Sequence, residues 1–198
     1  MFSPEADKKL LALIEEGVSA SADALAAVSR TNWTTQTTSI DMAGSGSVKS
    51  VQARLAKDQT DQYGAFLSMP GAIFLLMLPK KDGAGLARAF LGGRSRPGTA
   101  APREEVCVAE IANVVINAIA NAMANACDDS FILSAPTMIL AKKEPLLKLA
   151  VDELEAGGET YAIMTYVAMA SETLSSDCTI MLLLSPVFRG RILKALGR

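Results

Sequence analysis

The sequence predicts an α/β protein of the α+β kind, in two pseudo-symmetric halves, with two long helices on one face of a mostly antiparallel sheet. Three observations carry this. Two stretches, Ser3 to about Ser29 and Pro102 to about Cys127, repeat apolar residues at the helical period. Short runs rich in Val, Ile, Leu, Met and Thr, set off by Gly, Pro or Asp, read as strands. The order of elements in the first half recurs in the second, as in a duplicated unit.

The elements follow in turn. Ser3-Pro4-Glu5 opens the first helix, with Ser as N-cap, Pro at the first helical position and acids at the positive end of the helix dipole. After it, TNWTTQTTSIDMA, VQARLA, YGAFLSM and AIFLLML read as four strands, and KKDGAGLARAFLGG as a short helix ended by Gly. GGRSRPGTAAPR has the Gly, Pro, Ser and Arg content of a linker. Pro102 and Glu104-Glu105 then open the second long helix, which ends near Cys127-Asp128. FILSAPTMILAKK reads as a strand, and EPLLKLAVDELEAGG as a short helix closed by Gly157-Gly158. TYAIMTYVAMAS and CTIMLLL are strands, and SPVFRGRILKALGR is a final helix. IFLLMLPKKDGAGLARAFLGG and TIMLLLSPVFRGRILKALGR share one plan: an apolar strand, a Pro, and a short helix closing on Leu-Gly. The expectation is a single domain over 1–198, with a first half 1–92, a linker 93–102 and a second half 103–198.

Composition narrows the function. With 198 residues, 50% of them hydrophobic, a mean hydropathy of +0.27 and 20% charged, the chain can bury a core without staples. A net charge of -2 and the lack of any Lys/Arg run argue against a sequence-independent nucleic-acid binder. The chain has no His, which removes the Ser-His-Asp and Cys-His arrangements and the commonest zinc ligand. Cys107, Cys127 and Cys178 show no CxxC spacing and read as small packed hydrophobes of a reducing compartment. Asp128-Asp129 and Glu153/Glu155 read as loop and solvated-face charges, so no metal site is expected. The N-terminus lacks the basic region of a signal peptide, AIFLLML and TIMLLL are too short to span a bilayer, and the longer apolar run is broken by Glu and Asn. A soluble cytoplasmic protein without membrane insertion is expected.

The second long helix carries the informative pattern. EIANVVINAIANAMANA places Asn113, Asn117, Asn121 and Asn125 at every fourth position of an otherwise apolar run. At about 100° per residue, the four amides and Glu110 fall in one polar sector, opposite an arc of Ile111, Val115, Ala118, Ile119, Ala122 and Met123. Asn is a mediocre helix former, and a merely solvated face is more usually filled with Lys, Glu, Gln or Ala. Amides beside a single carboxylate suit a face that a partner covers. Glu110 and Asn113, at i and i+3, stand side by side on it.

Glu110, Asn113 and Pro136 follow the pattern Glu-x-x-Asn, twenty-two residues, Pro. In this, and in the duplicated order of elements over nearly the whole chain, the sequence resembles the CheC/CheX/FliY phosphatases of bacterial chemotaxis. The resemblance implies hydrolysis of the aspartyl phosphate on a CheY-type response-regulator receiver domain. Asn113 would position the attacking water, Glu110 would engage the partner's active-site Lys, and Asn117 and Asn121 would contact the partner. No cofactor is expected on this chain; Mg2+ belongs to the receiver. Two-site members carry a copy on each long helix, and laid on EEGVSASADALAAVS that copy sets Glu15 at the Glu, Val18 at the Asn and Asp23 at a later Asn. Val cannot hold a water, so the first site is expected to be degenerate. A second departure is Val106, where the family often has Asp or Ser four residues before the Glu. The resemblance leaves open a CheD-like partner and a homodimer. It also leaves open a non-catalytic scaffold or binding module like the middle domains of flagellar switch proteins. Pro136 is expected within the strand after the helix, at an edge or bulge, with no chemical role.

Overall fold

The structure, a computed structural model, describes residues 4–43, 48–91, 104–154, 160–172 and 174–197. The expected linker 93–102, Ser3, Pro102, Glu155 and Gly157-Gly158 lie outside these described residues.

Helix α1 (Pro4–Ser29) ends where Arg30 takes a left-handed φ of 60° and its N–H closes on the Ala26 carbonyl at 2.8 Å. Strand β1 (Trp33–Ala43) follows, then helix α2 (Val48–Leu55), strands β2 (Asp61–Met69) and β3 (Ala72–Pro79), and helix α3 (Gly83–Leu91). The second half gives helix α4 (Glu104–Cys127), strand β4 (Thr137–Lys142), helix α5 (Lys143–Leu154), strands β5 (Tyr161–Ser171) and β6 (Leu174–Leu184), and helix α6 (Pro186–Leu196). β2 and β3 are joined by Pro70-Gly71, where the φ of +84° at Gly71 needs a residue without Cβ, as in a type II turn. Ser185 caps α6 by accepting the Phe188 N–H at 3.2 Å, with Pro186 at the first helical position.

All pairings of the six-stranded sheet are antiparallel, in the order β1-β5-β6-β3-β2-β4. Exchanging the halves (β1 with β4, β2 with β5, β3 with β6) reverses this order and leaves the sheet unchanged. The pseudo-dyad therefore passes between β3 and β6, and each half lends its first strand to the other half's edge. The two expected halves are thus intertwined through one sheet.

Both sheet faces are covered. α1, α3, α4 and α6 pack on one face over a core that includes Leu10, Ile14, Leu25, Phe74, Leu76, Ile111, Val115 and Ile119. α2 and α5 pack on the other, over Val51, Leu55, Phe66, Leu75, Met77, Leu146 and Met181. Burial on both sides explains why AIFLLML and TIMLLL are continuous apolar runs and not alternating ones. Residues 72–78 of β3 are all buried, and each large side chain among them contributes about 1.5–3 kcal/mol of transfer free energy.

Three expectations need correction. VQARLA is not a strand but most of α2: Val48, Val51 and Leu55, at i, i+3 and i+7, form one buried helical stripe on the sheet. FILSAPTMILAKK is a strand only over Thr137–Lys142. Residues 128–136 run irregularly, tied to β2 where the Ser134 N–H donates to the Ser68 carbonyl (2.8 Å) and the Ser68 N–H donates to Ser134 Oγ (2.9 Å). Pro136 consequently lies just before β4, where it removes no ladder donor. α4 is long and apolar enough to cross a membrane by length and composition, but its apolar side is used on α1 and the sheet.

Candidate active site

The faces of α4 divide as its periodicity requires. Cys107, Val108, Ile111, Ala112, Val115, Ile116, Ile119, Ala120, Met123 and Ala124 are buried. Glu110, Asn121 and Asn125 are exposed, while Asn113 and Asn117 are half-buried. Ala118 and Ala122, placed by the sequence in the apolar arc, sit only half-buried at its margin. The carboxylate and the first amide thus stand one turn apart on the outer face. Val106, one turn before Glu110, is 53% exposed and leaves an apolar residue beside the carboxylate. The Cys107 thiol is pushed up, first by burial and then by the charge of Glu110.

The amides are not equivalent. Asn117 Nδ2 donates to the Asn113 backbone carbonyl at 2.7 Å and to Asn113 Oδ1 at 2.9 Å. The i,i+4 spacing signals that the two can meet, but not which bonds form.

On α1, Glu15 and Asp23 are exposed, whereas Val18 is 1% exposed and part of the core. The two long helices both end in a left-handed residue, Arg30 and Asp128. Aligned there, several buried positions coincide: Leu10 with Val108, Ile14 with Ala112, Val18 with Ile116, Ser21 with Ile119 and Leu25 with Met123. This register puts Ala12 opposite Glu110 and Glu15 opposite Asn113, both exposed. The pairing expected from the sequence, Glu15 with Glu110 and Val18 with Asn113, sets the buried Val18 against the half-buried Asn113. In either register the first helix offers no amide at the position of Asn113.

Asp129 pairs with Arg191, so one acid of the Asp128-Asp129 pair ties the end of α4 to α6. On the far side of the sheet lies a cavity of about 600 Å³ that no local spacing signals, lined by Asp58, Gln62, Lys81, Lys143, Asp177 and Thr179 among others. There Lys143 Nζ lies 3.0 Å from Asp58. The sheet separates this cavity from the Asn face.

No protein-family model and no curated protein sequence matches the chain. Solved structures do. FliY of Thermotoga maritima matches with a TM-score of 0.70 and 14% identity, over 100% of this chain and 98% of that one. FliM in the FliM–SpeE complex of H. pylori matches with a TM-score of 0.60 and 13% identity, over 100% of this chain and 97% of that one. The FliM middle domain of V. alginolyticus matches with a TM-score of 0.58 and 12% identity, over 94% and 99%. The chain therefore has the fold of FliY and of FliM middle domains. The resemblance read from its sequence holds at the level of that fold.

Proposed function

We propose that this protein is a cytoplasmic phosphatase of the CheC/CheX kind, hydrolysing the aspartyl phosphate of a CheY-type receiver domain. The observation that supports this best is the Glu110–Asn113 pair, a carboxylate and an amide one turn apart on the outer face of a helix braced by α1 and the sheet. α4 lies across the partner's phosphorylation site. Glu110 accepts a hydrogen bond from the receiver's active-site Lys, and Asn121, further along the same face, contacts the receiver surface. Asn113 holds a water in line with the scissile bond. The water oxygen forms the new P–O bond, and the acyl P–O bond breaks with its electron pair going to the receiver's aspartate. The protons of the water leave with the phosphate or to solvent.

Phosphoryl transfer needs positioning and charge neutralisation more than covalent help. The receiver supplies Mg2+ and Lys, so a helix without His can supply what is missing. The first helix, with Ala12 and Glu15 at the corresponding places, lacks the amide, and one active site per chain is assigned.

A second reading is a binding module without catalysis, favoured by the fold likeness to FliM, which is seen in complexes with SpeE and with FliG. One assay separates the two. A CheY-type receiver is phosphorylated with acetyl phosphate in the presence of Mg2+, and its decay is followed with and without the protein. The phosphatase reading expects faster decay, returning to the receiver's own rate with Asn113→Ala. Decay unchanged by the wild-type protein over a panel of receivers would leave the binding reading.

A further inference from the structure

We infer that Asn117 is a positioning residue that holds the Asn113 amide in one orientation, so that Asn113 meets the water as a hydrogen-bond donor. The inference rests on the reading of α4 as the phosphatase face, and it concerns how that face is set.

An Asn side chain on a helix surface has a soft, nearly two-fold terminal torsion, so its oxygen and nitrogen exchange places at little cost. A residue that must hold a water cannot work in both orientations. Asn117 removes the ambiguity. Its Nδ2 carries two hydrogens, and both are spent on Asn113, one on the backbone carbonyl at 2.7 Å and one on Oδ1 at 2.9 Å. The first bond anchors the Asn117 amide to a backbone atom that cannot rotate. The second then fixes the plane of the Asn113 amide, with Oδ1 turned to Asn117 and Nδ2 turned away.

Burial agrees with this division. Asn113 and Asn117 are the two half-buried members of the stripe, where water competes less for an amide hydrogen bond, while Asn121 and Asn125 are exposed. Among the described residues, no other side chain bonds the Asn113 amide, so both hydrogens of its Nδ2 remain for an incoming group. An N–H donated to the water oxygen restrains the water through one lone pair and leaves the other for phosphorus. The two amides are thus one device: Asn113 touches the water, and Asn117 decides which atom of Asn113 does so.

The test is steady-state dephosphorylation of an acetyl-phosphate-charged CheY-type receiver by the wild type and by Asn117→Ala, Asn117→Asp, Asn117→Gln and Asn113→Asp. Asn117→Ala is expected to lower kcat about tenfold with KM within about twofold, since orientation is lost and docking is kept. Asn117→Asp offers only acceptors, turns the Asn113 amide over, and is expected to lower kcat at least as far. Asn117→Gln keeps the donor and restores part of the loss. Asn113→Asp, with no donor, falls to the receiver's own rate. Ala is a better helix former than Asn, so the Asn117→Ala chain folds, and thermal unfolding checks this. Wild-type kcat in Asn117→Ala or in Asn117→Asp overturns the inference and leaves Asn113 as catalyst. A change in KM alone makes Asn117 a contact residue and overturns it too. A wild-type protein that accelerates no receiver's decay overturns the phosphatase reading and this inference together.

Discussion

Gly17 of α1 lies against the backbone of α4 at Ile119, where a Cβ on Gly17 would stand 2.4 Å from Ile119 Cα. The two long helices meet at this point with no side chain between them. The height of α4 over the sheet, and so the stance of Glu110 and Asn113, is set partly by a missing methyl group. Gly17→Ala favours the isolated helix by about 1 kcal/mol. In the folded protein it forces the helices apart, and a net loss of about 1–3 kcal/mol is expected in urea unfolding. A variant as stable as the parent would mean that the crossing yields without cost.

Under the proposed function Glu110 docks and Asn113 holds the water, and their kinetic signatures differ accordingly. Glu110→Ala is expected to raise KM about tenfold, with the loss shrinking as salt screens the attraction between Glu110 and the partner Lys. Asn113→Ala is expected to remove kcat with KM little changed. A Glu110→Ala protein with the parental KM at low salt would take Glu110 out of the docking contact.

Asp58, at the α2–β2 connection, is held down from 3.8 to about 2, first by the Thr60 N–H at 3.0 Å and also by Lys143, against a desolvation that raises it. Its folded value lies below its unfolded one, so its contribution is complete above about pH 4 and is lost as pH falls through about 2. The side chain is 37% exposed, and solvent screening limits the gain to under about 1 kcal/mol. Asp58→Asn should be less stable than the parent at pH 7 by that amount in urea unfolding, with the gap narrowing below pH 4. A gap unchanged down to the lowest pH at which both remain folded would place its origin elsewhere.

The Cys178 thiol is buried and pushed up to about 12, mainly by desolvation. Cys127 is half-buried, and its thiol is raised by burial as well. At pH 8 a thiol-labelling reagent is expected to modify Cys127 first and Cys178 only as the chain unfolds. Mass mapping that finds Cys178 labelled ahead of Cys127 would contradict the packing of β6.

The chain's single Trp, Trp33, donates its indole N–H to Ser29 Oγ at 2.9 Å, joining the end of α1 to the start of β1 in a buried bond. Ser29→Ala strands that donor and is expected to cost about 1–3 kcal/mol. The unfolding midpoint read by Trp33 fluorescence would then move to lower urea, and an unmoved midpoint would show that the indole finds another acceptor.

Features that depend on local period were legible in advance. The lengths of α1 and α4, the continuous apolar runs of β3 and β6, and the polar sector that carries Glu110 and the four Asn residues follow from spacing alone. A helix presents the same face whatever packs behind it. Features that depend on pairing between distant segments were not. VQARLA is a helix because Val48, anchored on the sheet, joins Val51 and Leu55 in one stripe. β4 begins only after Pro136 because β2 pairs with Thr137–Lys142 and holds Ser134 outside the ladder. Val18 lies in the core because α1 packs that face on α4 and the sheet. The stripe of four amides becomes a bonded pair and two exposed members because α1 and the sheet leave only the first two half-buried. Spacing fixes which residues share a face; the neighbours that cover it determine which of them can act.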